Sequence, residues 1–482
     1  METGMRAIRK ITLLTILSMI VILGKAQTNL VFYNSNDQFN SSGFNPAFLN
    51  NQQKFTFSIF PLSGMSVGYN DQFAVKGMLK DILSGNLTEK RRNEVFKSII
   101  NQDVFSQRFE TPLIYFGYHS SIGALSFKIT EVEQLRTGLK VDFTQIISDP
   151  GFLTIQLDKP QKLYANAVHY REYSLGYARD LLETKLSVGI RAKIYFGKAS
   201  LFSEAQGLAT KNNGSYFLQT NDPLKMSLPL VFDRNPKDSI ISGATVPENF
   251  STMNYLFNSK NLGTGIDLGV TYKVNPKLQL SASVVDFGKI NWDSNLNSLN
   301  LKGDYEIPPK YIHESGADYL TKDPSFSTRN KDLQPLFKSV IDTTTAYSTT
   351  LPTLFFAGFQ YQYNAKLIIG LVDRYTQSKG MSQNSFSLTA NYKVNKKLSL
   401  VTGYSTIGKS YNNIPFAFMY NWSSGQTFLG TDNLLAFFLP SNSEYAGISF
   451  GTCFYLFKPK VKYKESEYLP FYKEKKHNIS KK

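Results

Sequence analysis

Polar and apolar residues alternate one for one over long stretches of this chain, and no other feature constrains its fold as tightly. Ile266, Leu268, Val270, Tyr272 and Val274 alternate with Gly265, Asp267, Gly269, Thr271 and Lys273. Phe386, Leu388, Ala390, Tyr392 and Val394 do so against Ser387, Thr389, Asn391 and Lys393. Leu186, Val188, Ile190, Ala192, Ile194 and Phe196 repeat the pattern. Segments of about 9–11 such residues match a tilted strand crossing hydrocarbon. A helical span needs roughly 20 consecutive apolar residues, and the one run approaching that, Ile11–Leu23, lies at the N-terminus. Aromatic residues make up 14% of the chain and charged ones only 19%, against about 25% charged in an average globular chain. An aromatic, poorly charged, alternating chain fits a transmembrane β-barrel, whose signal is weak per segment but repeated. A soluble β-sandwich would alternate too, but with short connections at both ends of its strands.

Three turns argue against the sandwich. Tyr272–Leu278, Tyr361–Leu367 and Tyr392–Leu398 each place Tyr three residues before Asn (Asn275, Asn364, Asn395), with a Lys-Leu pair after it. Asparagine supplies turn chemistry for a tight hairpin. Between the second and third turns there is room for two strands and a small loop at Gln377–Gln383. Between the first and second there is room for the same two strands plus a long loop at roughly Asn291–Thr350. Short turns on one side and long loops on the other are the asymmetry of an outer-membrane barrel.

Counting from these turns gives strands at Phe55–Tyr69, Leu113–Tyr118, Ile122–Thr130, Ala167–Ala178 and Lys185–Ala205, then nine more from Gly265 to Phe457. In that last group Gln426–Phe438 is read as one strand and Tyr445–Phe457 as the final one. Gln206–Leu262 reads either as loop or as two further strands, so the total is 14 or 16, with 14 favoured. Gln72–Glu110 and Glu131–Tyr164 read as long loops, and Met78–Ile100 has helix-like content broken by Gly85. The fold class is thus all-β, a transmembrane antiparallel β-barrel.

Arg6, Arg9 and Lys10 precede the Ile11–Leu23 run, and Gly24-Lys25-Ala26 follows it. This is a secretory signal with expected cleavage after Ala26. Residues 1–26 are the signal, 27–52 a plug or hatch segment, 53–457 the barrel and 458–482 a basic periplasmic tail. Removing the signal lowers the net charge from +16 to +13, of which the tail holds +6. The tail's lysines mingle with Tyr463, Tyr468, Phe471 and Tyr472, a mixture that can bind single-stranded nucleic acid. A secreted barrel does not meet nucleic acid, so a membrane, wall or protein contact is the reading.

Little here resembles catalysis. His119, His169, His313 and His477 stand far apart without ligand spacing, and the one cysteine, Cys453, rules out an internal disulfide. Gly263-x-Gly265-x-x-x-Gly269 misses the dinucleotide fingerprint and lies within an alternating strand, where glycine permits a tight bend. No catalytic, cofactor-binding or metal-binding residue is assigned, and the chain is not read as an enzyme. Glu172, Arg191, Lys193, Asp267, Lys273, Asn391 and Lys393 lie on the polar side of alternating strands. They form either a salt-bridged network that rigidifies the lumen or a polar pathway through it.

Asn29–Asn50 is polar and precedes the first alternating segment; a wide barrel leaves a lumen to be filled. Its Ser42-Gly43-Phe44-Asn45-Pro46-Ala47-Phe48-Leu49 resembles the hatch segment of the long-chain fatty-acid transporter (FadL-type) superfamily, which includes PorV/PorP-like barrels. Asn45, Pro46 and Ala47 are the hatch motif. Glu172–Arg179, Leu186–Lys193, Gly265–Lys273 and Val285–Trp292 resemble an uncharacterised Bacteroidota outer-membrane family in that group. Ser449–Phe457 resembles the C-terminal signal of inserted barrels, although 25 residues follow it. The resemblance implies a 14-stranded barrel in the outer membrane with a hatch entering from the N-terminus.

Two functions follow as expectations. One is passive transport of a small hydrophobic ligand past the hatch. The other is a scaffold or secretion-associated barrel whose long loops and basic tail hold a periplasmic or surface protein. An apolar pocket on the hatch or an opening in the wall favours the first; a lumen filled by polar side chains favours the second. Outer-membrane lipid is a partner in both.

Overall fold

The computed structural model describes residues 29–456 except 36–37, 52–54, 72–101, 141–145, 150–151, 156–160, 213–214, 235–240, 308–339, 343–344, 379–380, 409 and 440–442. Fourteen antiparallel strands close into one barrel. They are β1 (Phe55–Ile59 and Met65–Asp71), β2 (Gln102–Ser120), β3 (Gly123–Lys140), β4 (Gln161–Leu181) and β5 (Leu186–Asn212). Then come β6 (Leu262–Asn275), β7 (Leu278–Trp292), β8 (Tyr347–Thr350 and Thr353–Gln362), β9 (Leu367–Ser378) and β10 (Met381–Lys393). The ring ends with β11 (Leu398–Ile407), β12 (Ser410–Asn413 and Phe416–Trp422), β13 (Gly425–Thr431) and β14 (Tyr445–Leu456). Each strand pairs with its neighbours in sequence, and β14 returns to β1 through Leu456 opposite Phe55, so the ring has no open edge. Closure satisfies every strand's backbone, which is the condition for crossing lipid. Among the described residues no helix is long and apolar enough to cross a membrane.

The alternation fixes which face meets lipid. Leu175, Ile190, Leu268, Phe287, Phe359, Tyr404 and Leu429 point outward and are exposed, whereas their neighbours Ser174, Arg191, Asp267, Gln360 and Ser405 are buried. An exposed apolar band around a closed barrel with a polar interior is a lipid-facing surface. The three asparagine turns sit at one end, and each side chain closes its own turn. Asn275 Oδ1 accepts from Lys277 N at 2.8 Å, Asn364 Oδ1 from Lys366 and Leu367 N, and Asn395 Oδ1 from Lys397 and Leu398 N, at 2.8 and 2.9 Å in both pairs. β14 ends at this same end, as an even number of strands requires.

Several boundaries need correction. β2, β3, β4 and β5 run far past the segments read as strands, so Gln102–Glu110, Glu131–Lys140 and Gln161–Tyr164 are strand rather than loop. Polar outward residues beyond the apolar band disguised these extensions. Met78–Ile100 lies outside the described residues, as do the signal segment and the tail. Gln206–Leu262 adds no further strand to the ring. It holds the end of β5, then Ser215–Ser227, which pairs with β5 beyond the part that β6 occupies and with Leu296–Ile307, continuing the same sheet past the closed ring. β13 stops at Thr431, and Leu435–Phe438 is a single helical turn, not strand.

Candidate functional site

The described residues preceding β1, 29–51 except 36–37, lie inside the barrel. Leu30–Phe32, Ser41–Gly43 and Pro46–Asn51 form short 3-10 turns, and Leu30, Val31, Phe32, Tyr33, Phe39, Phe48 and Leu49 are almost fully buried. A backbone that is neither helix nor sheet must find other hydrogen-bond partners when buried, and the wall supplies them. The Asp432 carboxylate accepts from Leu30 N and Val31 N at 3.0 and 2.8 Å. Gln426 Oε1 accepts from Phe39 N at 3.2 Å, Arg191 Nη2 donates to Ser42 O at 2.6 Å, and Ser283 donates to Phe44 O at 2.6 Å. These contacts come from β5, β7, β13 and the segment after it, so the N-terminal residues are held from opposite walls.

Asn45 is the best anchored of them. Its Nδ2 donates to Val270 O and Ala282 O at 3.2 Å each, reaching two adjacent strands, while its Oδ1 accepts from Ala47 N at 2.9 Å. Pro46 then starts the last 3-10 turn, where a missing N–H costs nothing. Inward glycines make the space. A Cβ at Gly269 would overlap Asn45, at Gly189 Pro46 and Ala47, at Gly370 Asn34, and at Gly430 Phe32. Gly269 therefore serves close approach rather than the bend expected of it, and Gly265 likewise makes room for the Tyr195 ring.

Above this segment the wall carries an ionic network. Lys193 Nζ lies 3.0 Å from Asp267 Oδ2, 2.5 Å from Asp286 Oδ1 and 3.4 Å from Glu172 Oε2. Arg191 Nη1 meets Asp267 Oδ2 at 3.1 Å, and Arg108 Nη2 meets Asp286 Oδ2 at 3.2 Å. Glu110 links Arg108 at 3.5 Å to Lys128 at 3.2 Å. Four of the seven lumen candidates, Glu172, Arg191, Lys193 and Asp267, thus converge. Asn391 lies apart and donates to Ser35 Oγ at 3.3 Å. Lys273 and Lys393 lie near the short turns, away from the network, and Lys273 is buried.

Sequence reasoning missed Asp286, Arg108, Glu110 and Lys128. Asp286 was hidden because it breaks the alternation. It sits at φ +61° where the β6–β7 register shifts, and its N–H donates to Asp267 Oδ1 at 2.8 Å. That bulge turns both Val285 and Asp286 inward while Phe287 stays exposed. Arg108 and Glu110 fell in a stretch read as loop. Lys128 was legible, being on the polar parity of its strand.

A cavity of about 150 Å³ separates the N-terminal segment from the long-loop end of the lumen. Its floor includes Phe32 and Phe44, with Phe356 and Phe428 beside them, and its wall includes Arg108, Lys193 and Asp286. At one side it reaches Ser63 and Met65, where β1 is interrupted between Ile59 and Met65. On the lipid side of that interruption Phe60 and Leu62 are exposed. Among the described residues no cluster of three or more His, Cys, Asp or Glu is arranged to hold a metal.

A model of a family of unknown function, DUF5723, matches residues 46–432. The chain belongs to that family. The match runs from Pro46 of the lumenal segment to Asp432, the residue that receives Leu30 and Val31. Among curated proteins none matches. Solved structures with similarity include a TodX deltaS2S3 mutant monoaromatic hydrocarbon channel, at 9% identity and TM-score 0.37, covering 86% of this chain and 94% of that one. A Pseudomonas aeruginosa FadL homologue follows at 10% identity and TM-score 0.36, covering 86% and 92%. The P. putida toluene transporter TodX is similar at 10% identity and TM-score 0.32, with the same coverages.

Proposed function

We propose that this barrel resides in the outer membrane and passes small compounds with an apolar body and a polar end, passively, across it. The observation that carries this reading is the cavity on the N-terminal segment, with phenylalanines below, ions beside, and an edge at the interruption of β1. An apolar body favours the aromatic floor because leaving water is worth about 25 cal/mol per Å². The charged wall then orients the polar end and disfavours a wholly apolar passenger, for which polar groups must be desolvated without partners. In this reading Leu30–Asn51 is the hatch, with Asn45, Pro46 and Ala47 its fixed point. The interruption at Phe60–Gly64 is the place where a compound leaves the lumen sideways into lipid.

Uptake of radiolabelled octanoate and of arabinose by cells producing the protein tests this. Octanoate uptake is expected to rise several-fold over cells without the protein while arabinose stays level. Ser63→Trp, which fills the cavity edge, is expected to remove the gain. Equal uptake of octanoate with and without the protein would overturn the proposal.

A further inference from the structure

A charged patch on the outer wall is covered by a strap of chain whose free side carries two exposed large apolar residues, Met253 and Phe257. On β3 and β4 the outward residues near the short turns are Leu125, Phe127, Leu175 and Tyr177, all exposed to lipid. Followed away from the turns, the same parity carries Glu131 and Glu133 on β3, opposite Arg171 and His169 on β4. Lys198 stands beside them where the β4–β5 register shifts. Ions at the rim of a hydrocarbon band are costly unless covered or paired. Here they are both.

The cover is Ser251–Asn261, which includes the short helix α1 (Thr252–Leu256). The Tyr255 hydroxyl lies 2.7 Å from His169 Nδ1, and His169 Nε2 lies 2.9 Å from Glu131 Oε1. Arg171 Nε donates to Glu131 Oε2 at 2.6 Å, and its guanidinium carbon stands 4.9 Å from the centre of the Phe257 ring. Lys198 Nζ donates to Asn258 O, and Asn261 Nδ2 to Gly197 O at 3.3 Å. The inner side of the strap is therefore polar and tied to the wall. Its exposed side presents Met253 at 62% and Phe257 at 65% exposure among the polar Thr252, Asn254, Ser259 and Lys260, and the chain runs directly into outward-facing Leu262 at 51%.

We propose that the strap is a membrane-interface anchor that sets Met253 and Phe257 at the boundary between headgroups and acyl chains. Continuity with the lipid-facing band is the argument, since Leu262 pairs with Phe196 at the upper rim of that band. Aromatic and flexible apolar side chains favour this depth because one end is dry and the other wet. The strap covers a patch of ions and presents two large apolar residues in its place, and the Glu131–His169–Tyr255 contact holds it against the wall.

The full chain is reconstituted in phosphatidylcholine–phosphatidylglycerol vesicles with Cys453→Ser and a nitroxide at Met253→Cys or Phe257→Cys. Leu175→Cys serves as the lipid reference and Lys396→Cys, on an exposed short turn, as the water reference. Collision with oxygen is expected to exceed collision with a nickel chelate at both strap positions, as at Leu175→Cys. Values like those of Lys396→Cys would overturn the proposal. Phe257→Trp, which leaves the cysteine in place, reads the same contact through quenching by brominated phosphatidylcholine; absence of quenching beyond the wild-type background counts against it. His169→Ala is expected to raise label mobility at Met253→Cys, and an unchanged spectrum would sink the lock.

Discussion

At the scale of single residues the lumen is organised by shape as much as by charge. Gly269 and Gly189 lack side chains where Asn45, Pro46 and Ala47 press against the wall. Gly269→Val is expected to dislodge the segment without opening the ring. Protease would then cut between residues 29 and 51 while the heat-dependent gel shift of a folded barrel persists. Lys193 illustrates charge: it meets three carboxylates from three strands. Removing one partner from a buried ionic group typically costs about 3–5 kcal/mol, so Lys193→Met should lower the urea midpoint of the detergent-folded protein. A midpoint equal to wild type would mean that water already screens the cluster. Five members of this network could be read from the polar parity of their strands, Lys128 among them although it was missed. Asp286 could not, because a bulge reverses parity locally and no residue pattern announces where the extra residue falls. The partners of Asn45 were equally hidden, since carbonyls 225 and 237 residues away carry no side-chain signal.

Among the elements, hairpins with asparagine at the turn were readable because their hydrogen bonds span two or three residues. Asn395 Oδ1 receives two backbone N–H groups, and Asn395→Ala leaves them to water. The expected loss is about 1 kcal/mol per bond, seen as a lower unfolding midpoint with the barrel still closed. Strand lengths were less readable. The outward face of β4 is apolar at Leu175 and Tyr177 but carries His169 and Arg171 beyond them. Hydrophobic alternation stops where lipid stops, whereas backbone pairing continues, so the sequence marks the membrane band and not the strand. The same reasoning separates β13 from Leu435–Phe438: the apolar run crosses from strand to a helical turn that periodicity over so few residues does not distinguish.

For the whole molecule the question is what closes the lumen. Leu30–Asn51 touches opposite walls through Asp432, Gln426, Arg191 and Ser283, so its removal should open a continuous path. Deletion of residues 29–51 is expected to convert a closed barrel into one that conducts steadily in a planar bilayer. A deletion variant as silent as wild type would place the barrier elsewhere. The amino-acid sequence alone determined the class of fold, the lipid and lumen faces, the short-turn end and a strand number of 14 or 16, because alternation and turn chemistry act between near neighbours; the closed ring has 14. Only the tertiary structure decided which wall groups hold Leu30–Asn51 in the interior, that carboxylates from β4, β6 and β7 share Lys193, and that Ser251–Asn261 covers the outer wall. Those arrangements arise when the ring closes and brings residues hundreds of positions apart within hydrogen-bonding distance, a relation that no local period encodes.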